Sequence, residues 1–187
     1  MDRRDFIKKL GVLSAARWTG PQAALQAATA SLKQLAQEKG LLFGSCLALK
    51  YCAQSAAYQQ LFLAQCDIAT PELHMKWNSL SSQPGVYDFA NADKFVAFCS
   101  SAHIKVRGHT LVWHRQNSKW LTEGKYTSGE LAEILEKHIR TVVGHYRGKI
   151  FAWDVVNEAF DELHPGQMRS TIWSDQPGIG LKRLHLY

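Results

Sequence analysis

Short apolar runs alternate with longer stretches of helical period along most of this chain. Leu41-Leu42-Phe43-Gly44 has the length and apolar density of a first strand. The stretch from about Ser55 to Gln65 predicts a helix. Cys66-Asp67-Ile68-Ala69-Thr70 predicts a second strand, closed by Pro71. Residues 91–102 predict a helix with Ala92, Phe95, Val96 and Cys99 on one face, and Ile104 to His109 predicts a third strand. The clearest helix spans about Ser128 to Tyr146, where Leu131, Ile134, Leu135, His138, Ile139, Val142 and Val143 recur at helical spacing. Thr127 and Glu130 in front of it have the spacing of a capping box. Ile150 to Val156 then predicts a fourth strand.

Four β-then-α units in series imply an α/β fold: a parallel sheet with right-handed crossovers. A doubly wound sheet and part of a (β/α)₈ barrel both satisfy this pattern, and periodicity does not choose between them. The 187 residues are enough for one domain with a real core. They fall short of the roughly 250 that a full (β/α)₈ barrel takes. Beyond an Ala-rich start there is no repeat, low-complexity segment or internal linker.

Composition adds little by itself: 46% hydrophobic and 20% charged is ordinary for a globular protein. The formal charge of +6 divides evenly between residues 1–30 and the remainder, and no basic block follows the start. Nucleic acid is therefore not an expected partner. Cys46, Cys52, Cys66 and Cys99 show no C-x-x-C spacing, so small buried hydrophobes are a better reading than a metal or redox motif.

The start itself reads as a leader. Arg3-Arg4-Asp5-Phe6-Ile7-Lys8 resembles a twin-arginine export signal, with Asp2 where Ser or Thr is usual. The apolar run Leu10 to Ala16 follows, and Ala28-Thr29-Ala30 fits an A-x-A cleavage site. No segment reaches the roughly 18 apolar residues of a membrane span. The expected organisation is a leader over 1–30 and a secreted or periplasmic domain over 31–187.

In α/β architectures ligands meet the carboxyl ends of parallel strands. The second strand ends in Thr70-Pro71-Glu72, followed by His74, Lys76 and Trp77. The third ends in His109-Thr110-Leu111-Val112-Trp113-His114, with Gln116 just beyond. The fourth ends in Asn157-Glu158. Carboxylate, ammonium and amide groups hydrogen-bond hydroxyls, and indoles stack on sugar faces, so this rim suits a neutral polyhydroxylated ligand. No Gly-rich loop stands before a helix to cradle phosphate.

Three segments carry a resemblance. Thr70-Pro71-Glu72-Leu73-His74-Met75-Lys76-Trp77, Val106-Arg107-Gly108-His109-Thr110-Leu111-Val112-Trp113-His114 and Trp153-Asp154-Val155-Val156-Asn157-Glu158-Ala159 resemble, in order, three motifs of the family 10 glycoside hydrolases, the endo-1,4-β-xylanases. Gln116 and Trp120 fit the continuation of the second motif, and Tyr87-Asp88-Phe89 and Ala92-Asp93 fit an intervening family pattern loosely. The resemblance implies a (β/α)₈ barrel, of which this chain carries about the first four units. It implies Glu158 as general acid/base, a task for a carboxyl that stays protonated at working pH. It implies Asn157 on the sugar 2-hydroxyl, where contacts strengthen in the oxocarbenium-like transition state. Glu72, Lys76, His109, Trp113 and Gln116 would bind the substrate, xylan or xylo-oligosaccharide. Asp154 reads as a packing or supporting partner. No cofactor and no metal are implied, and the full-length protein would be a monomer.

Two departures from the family pattern matter. Leu73 stands where the family has Asn, removing a hydroxyl contact. The family's nucleophile is a Glu in a T-E-L-D-like segment after a seventh strand, and no such segment occurs in these 187 residues. A retaining glycosidase needs two carboxylates about 5–5.5 Å apart. Little or no xylanase activity is therefore expected of this chain as it stands. The alternative is a non-catalytic sugar-binding remnant.

Overall fold

The computed structural model describes residues 30–175; the leader, and the tail from residue 176 to Tyr187, lie outside them. The described elements run α1 (Leu32–Gln37), β1 (Gly44–Leu47), α2 (Leu49–Gln54), α3 (Ala56–Gln65), β2 (Ile68–Pro71), α4 (Trp77–Leu80), α5 (Ala90–Ser101), β3 (Lys105–Val112), α6 (Lys119–Glu123), α7 (Ser128–His145) and β4 (Ala152–Val156). The four strands form one parallel sheet in the order β1-β2-β3-β4. A doubly wound sheet reverses its strand order at a switch point. Sequential order without reversal is barrel order, and the fold is an incomplete α/β barrel. Among the described residues no helix is long and apolar enough to cross a membrane.

Strand boundaries shift from the apolar runs, for local reasons. β1 begins at Gly44, and Leu41 and Leu42 ahead of it are exposed. Gly44 lies against β2 so closely that a Cβ there would meet the Ile68 carbonyl oxygen at 2.1 Å. Only glycine permits that approach. Pro71 is the last residue of β2 rather than a stop before it, and the neighbouring Glu72 N–H takes the hydrogen bond to the Leu47 carbonyl (3.3 Å). β3 continues to Val112, so His109 lies within the strand and not at its end. Three cysteines are buried as expected, but Cys46 is exposed on β1. The short helix α2 has no counterpart in the sequence reading.

The helices behave as their periodicity predicts. α7 starts on a complete capping box: Thr127 Oγ1 accepts from the Glu130 N–H, and the Glu130 carboxylate accepts from the Thr127 N–H. Its Leu131, Leu135, His138 and Val142 are buried, and in α5 so are Ala92, Phe95, Val96 and Cys99. They share one hydrophobic core with Leu47, Ala69, Val106, Leu111 and Val112 from the strands. Each large apolar side chain so buried contributes about 1.5–3 kcal/mol.

His138 is the polar member of this core, with no exposed surface. Its ring stacks on Trp77 at 3.6 Å, and the Tyr87 hydroxyl lies 3.2 Å from Nδ1. Trp173 closes the same cluster, 5.2 Å from Trp77. Burial pushes the His138 imidazole down to about 3, against about 6.5 in an unfolded chain. Below about pH 6.5 the unfolded chain therefore takes up a proton that the folded chain refuses until about pH 3. The stabilisation is present above that window and is lost as pH falls through it. The free energy of urea unfolding should decline on acidification through this range. In His138→Phe that decline should be shallower by up to about 1.4 kcal/mol per pH unit.

Candidate active site

The carboxyl end of the sheet gathers the predicted polar residues from three strands. After β2, the Lys76 ammonium donates to the Glu72 carbonyl at 2.6 Å and sits 5.0 Å over the Trp113 ring. Lys76 is only 9% exposed, so its charge is held by that carbonyl and the indole face rather than by bulk water. The Glu72 carboxylate lies 3.9 Å from the ammonium of Lys50 on α2. Lys50 was absent from the sequence reading, because α2 carries no strand-end motif.

β3 presents Arg107 and His109 on one face, since alternate residues of a strand point the same way. Its register with β4 sets His109 beside Asp154. His109 Nδ1 lies 2.9 Å from Asp154 Oδ2, and Arg107 donates to Asp154 Oδ1 through Nε (2.8 Å) and through a terminal nitrogen. Thr110 Oγ1 donates to the Asp154 carbonyl at 2.8 Å. Burial alone would raise the Asp154 carboxyl. The Arg107 and His109 hydrogen bonds and charges overcome that and hold it below the usual carboxylate range. The supporting role expected of Asp154 is therefore filled by a fully engaged carboxylate.

β4 ends in the residues that face a cavity of about 650 Å³, lined among others by Trp113, His114, Asn157, Glu158, Arg169 and Trp173. The Asn157 N–H donates to the Val112 carbonyl (2.9 Å), extending the β3–β4 pairing by one residue. Glu158 then turns sharply, with φ at +51°. This left-handed backbone costs a non-glycine residue on the order of 1–3 kcal/mol and persists only where its surroundings impose it. Two contacts do so. Trp113 Nε1 donates to Glu158 Oε2 at 2.8 Å, and Arg169 Nε donates to the Glu158 carbonyl at 3.3 Å. The same guanidinium reaches the Phe160 carbonyl (3.3 Å), and the Arg169 N–H donates to Ala159 (2.8 Å).

His114 Nδ1 lies 3.8 Å from Glu158 Oε2. Burial, then the positive charge of Arg169, holds its imidazole below the ordinary histidine range, although the Glu158 charge opposes this. His114 is thus a neutral neighbour of the Glu158 carboxyl at neutral pH.

Successive contacts join the Glu72 carbonyl to Lys76, Lys76 to Trp113 and Trp113 to Glu158, with Asn157 next to Glu158 and His109 6.4 Å from Trp113 ring to ring. Gln116 is tied in only through its backbone. It too has a left-handed φ (+51°), and its carbonyl accepts from the Asn78 N–H at 3.0 Å. Asn117, unremarked in the sequence, steadies this turn by donating to the Trp113 carbonyl at 3.0 Å. Leu73 is 39% exposed, an apolar side chain on a polar rim. Arg169 and Trp173 were also missed; both lie beyond the last motif, in a segment without regular secondary structure. Among the described residues no group of three or more His, Cys, Asp or Glu is placed to hold a metal ion. The arrangement offers a carboxyl held by an indole N–H, flanked by an ammonium, an amide and an imidazole suited to hydroxyl groups.

Arg169→Met leaves the Glu158 and Phe160 carbonyls without a side-chain donor. Urea unfolding should show a loss of about 1–2 kcal/mol. An unchanged midpoint would mean that this guanidinium does not hold the turn.

Comparison with known proteins agrees with this fold. A family model for glycosyl hydrolase family 10 matches residues 31–181. The beta-1,4-xylanase of Dictyoglomus thermophilum is 45% identical over 118 residues, covering 63% of this chain and 33% of that protein. Endo-1,4-beta-xylanase 3 of Hypocrea jecorina is 40% identical over 150 residues, covering 79% of this chain and 42% of that one. The crystal structure of xylanase 10B from Thermotoga petrophila, in complex with xylobiose, superposes with a TM-score of 0.73 at 36% identity, covering 78% of this chain and 45% of that one. The xylanase from a Bispora species with xylobiose gives 0.75 at 28% identity, covering 81% and 47%. The chain thus spans between a third and a half of the length of these relatives.

Proposed function

The chain belongs to glycosyl hydrolase family 10, and on that premise we propose that it is the β1–β4 part of a retaining endo-1,4-β-xylanase. Glu158 is the general acid/base. The observation that carries this reading is the Trp113 indole N–H on Glu158 Oε2 at 2.8 Å, with the Lys76 ammonium 5.0 Å over the same ring. One ring thereby links the proton-transfer carboxyl to the glycone-side polar groups. Glu158 protonates the glycosidic oxygen as the bond breaks, then takes a proton from the water that hydrolyses the glycosyl-enzyme. Asn157 bonds the 2-hydroxyl of the sugar at the cleaved bond. Glu72, Lys76 and His109 bind hydroxyls on the glycone side, and Trp113 lies along the sugar face. The xylobiose named in two similar structures supports xylo-oligosaccharide as the ligand. The twin-arginine pattern at Arg3-Arg4 supports export as the route to an extracellular polysaccharide.

Double displacement needs a nucleophile about 5–5.5 Å from Glu158. No T-E-L-D-like segment occurs in the 187 residues. After the motif, Asp161 is taken up by His164 at 2.9 Å, and the next carboxylate, Glu162, is 69% exposed and faces Arg169 at 3.8 Å. It is a poor substitute, and the second reading, binding without hydrolysis by these residues alone, rests on this.

The two readings separate in one experiment. The 187-residue chain should bind xylotriose by calorimetry yet hydrolyse xylan no faster than its Glu158→Gln variant. A chimera continuing into the C-terminal part of the Thermotoga petrophila xylanase should hydrolyse xylan. In that chimera Glu158→Gln should lower kcat by about 10²–10⁴-fold. Hydrolysis by the chain itself, lost in Glu158→Gln, would overturn the binding-only reading. A chimera indifferent to Glu158→Gln would overturn the acid/base assignment.

A further inference from the structure

We propose that Asp154 is a positioning residue that fixes the tautomer of His109, so that His109 presents Nε2 to the sugar as a hydrogen-bond acceptor. The functional meaning rests on the xylanase reading above; the tautomer does not. An ionised carboxylate only accepts hydrogen bonds. Asp154 is ionised because Arg107, which stays charged, donates to Oδ1 through two nitrogens. Oδ2, 2.9 Å from His109 Nδ1, therefore receives the Nδ1 proton. A neutral imidazole with Nδ1–H carries its lone pair on Nε2. Among the described residues Nε2 has no protein partner, and the ring lies 6.4 Å from that of Trp113.

The geometry leaves Asp154 little freedom. Its carbonyl is held by Thr110 Oγ1 at 2.8 Å, it pairs in register with His109, and its side chain is 17% exposed. The β3–β4 ladder delivers carboxylate, guanidinium and imidazole to one face, and both Asp154 oxygens are taken up by Arg107 and His109. Two of the groups expected to bind hydroxyls then play opposite parts. Lys76 can only donate, whereas His109 Nε2 accepts the proton of a hydroxyl. A hydroxyl at His109 must be free to donate, so a xylose unit etherified there loses this contact.

The test is nitrogen-15 NMR of the histidine rings of the ligand-free chain at about pH 8.5, two units above an ordinary histidine. His109→Gln identifies the signal. The expected wild-type pattern is a protonated Nδ1 and a bare Nε2. In Asp154→Asn the amide oxygen turns to Arg107 and its NH₂ faces Nδ1, so the proton should move to Nε2. Xylotriose affinity should fall by about tenfold, with the melting temperature little changed. A wild-type Nε2–H tautomer overturns the proposal, and so does a folded Asp154→Asn that keeps Nδ1–H. Should Asp154→Asn not fold, the wild-type tautomer still decides. A chain with the expected tautomer that binds no xylotriose leaves this assignment standing and removes the xylanase reading instead.

Discussion

The pairing of β3 with β4 is the constraint on which the site depends. Trp113 with Glu158, His109 and Arg107 with Asp154, and Thr110 with the Asp154 carbonyl are all contacts between the same two chain segments, some 45 residues apart in sequence. The pairing of His109 with Asp154, followed by a one-residue shift before Val112 pairs with Val156, makes all of them at once. A slip of one residue would turn each of these side chains to the opposite face of the sheet. The packing beneath the pair is equally tight: a Cβ on Gly108 would lie 2.3 Å from the Trp153 ring, so only glycine lets the two strands close.

That pairing is stiffened from behind by an aromatic core. Trp77 begins just after the β2 rim residues, stacks on His138 of α7, and touches Trp173 beyond β4. A single cluster therefore ties the β2 end, the long helix and the segment carrying Arg169 together. The neutral, buried His138 makes the arrangement sensitive to acid, because burial costs an imidazolium more than the Leu111 backbone returns. Rigid backing of this kind suits a site in which Glu158 is held on a left-handed backbone by contacts from both sides.

Much of this was legible in sequence. The apolar face of α7, its capping box and the existence of four strands follow from periodicity and local hydrogen bonding, which depend only on near neighbours in the chain. The three motif segments likewise name Glu72, Lys76, His109, Trp113, Asn157 and Glu158 without any coordinates. Strand limits were less legible. Hydrophobicity placed β1 over Leu41 and Leu42, but where a strand begins depends on which backbone its neighbour can approach, and Gly44 against Ile68 decides that. Lys50, Arg169 and Trp173 carry no local signal, since each acts through a contact formed by chain reversal, whereas Asn117 acts within its own turn on the Trp113 carbonyl.

The sequence by itself determined the family, the α/β alternation and the chemical types gathered on the rim, because these are properties of residue identity and short spacing. Tertiary structure alone decided which of those groups share a partner. Asp154 is an unremarkable aspartate in a strand until β3 lies beside it; then it takes Arg107 on one oxygen and His109 on the other. Glu158 is one carboxylate among many until Trp113 and Arg169 fix its direction. Hydrogen bonds are short and directional, so their pairing is set by the register of distant segments and not by their order along the chain.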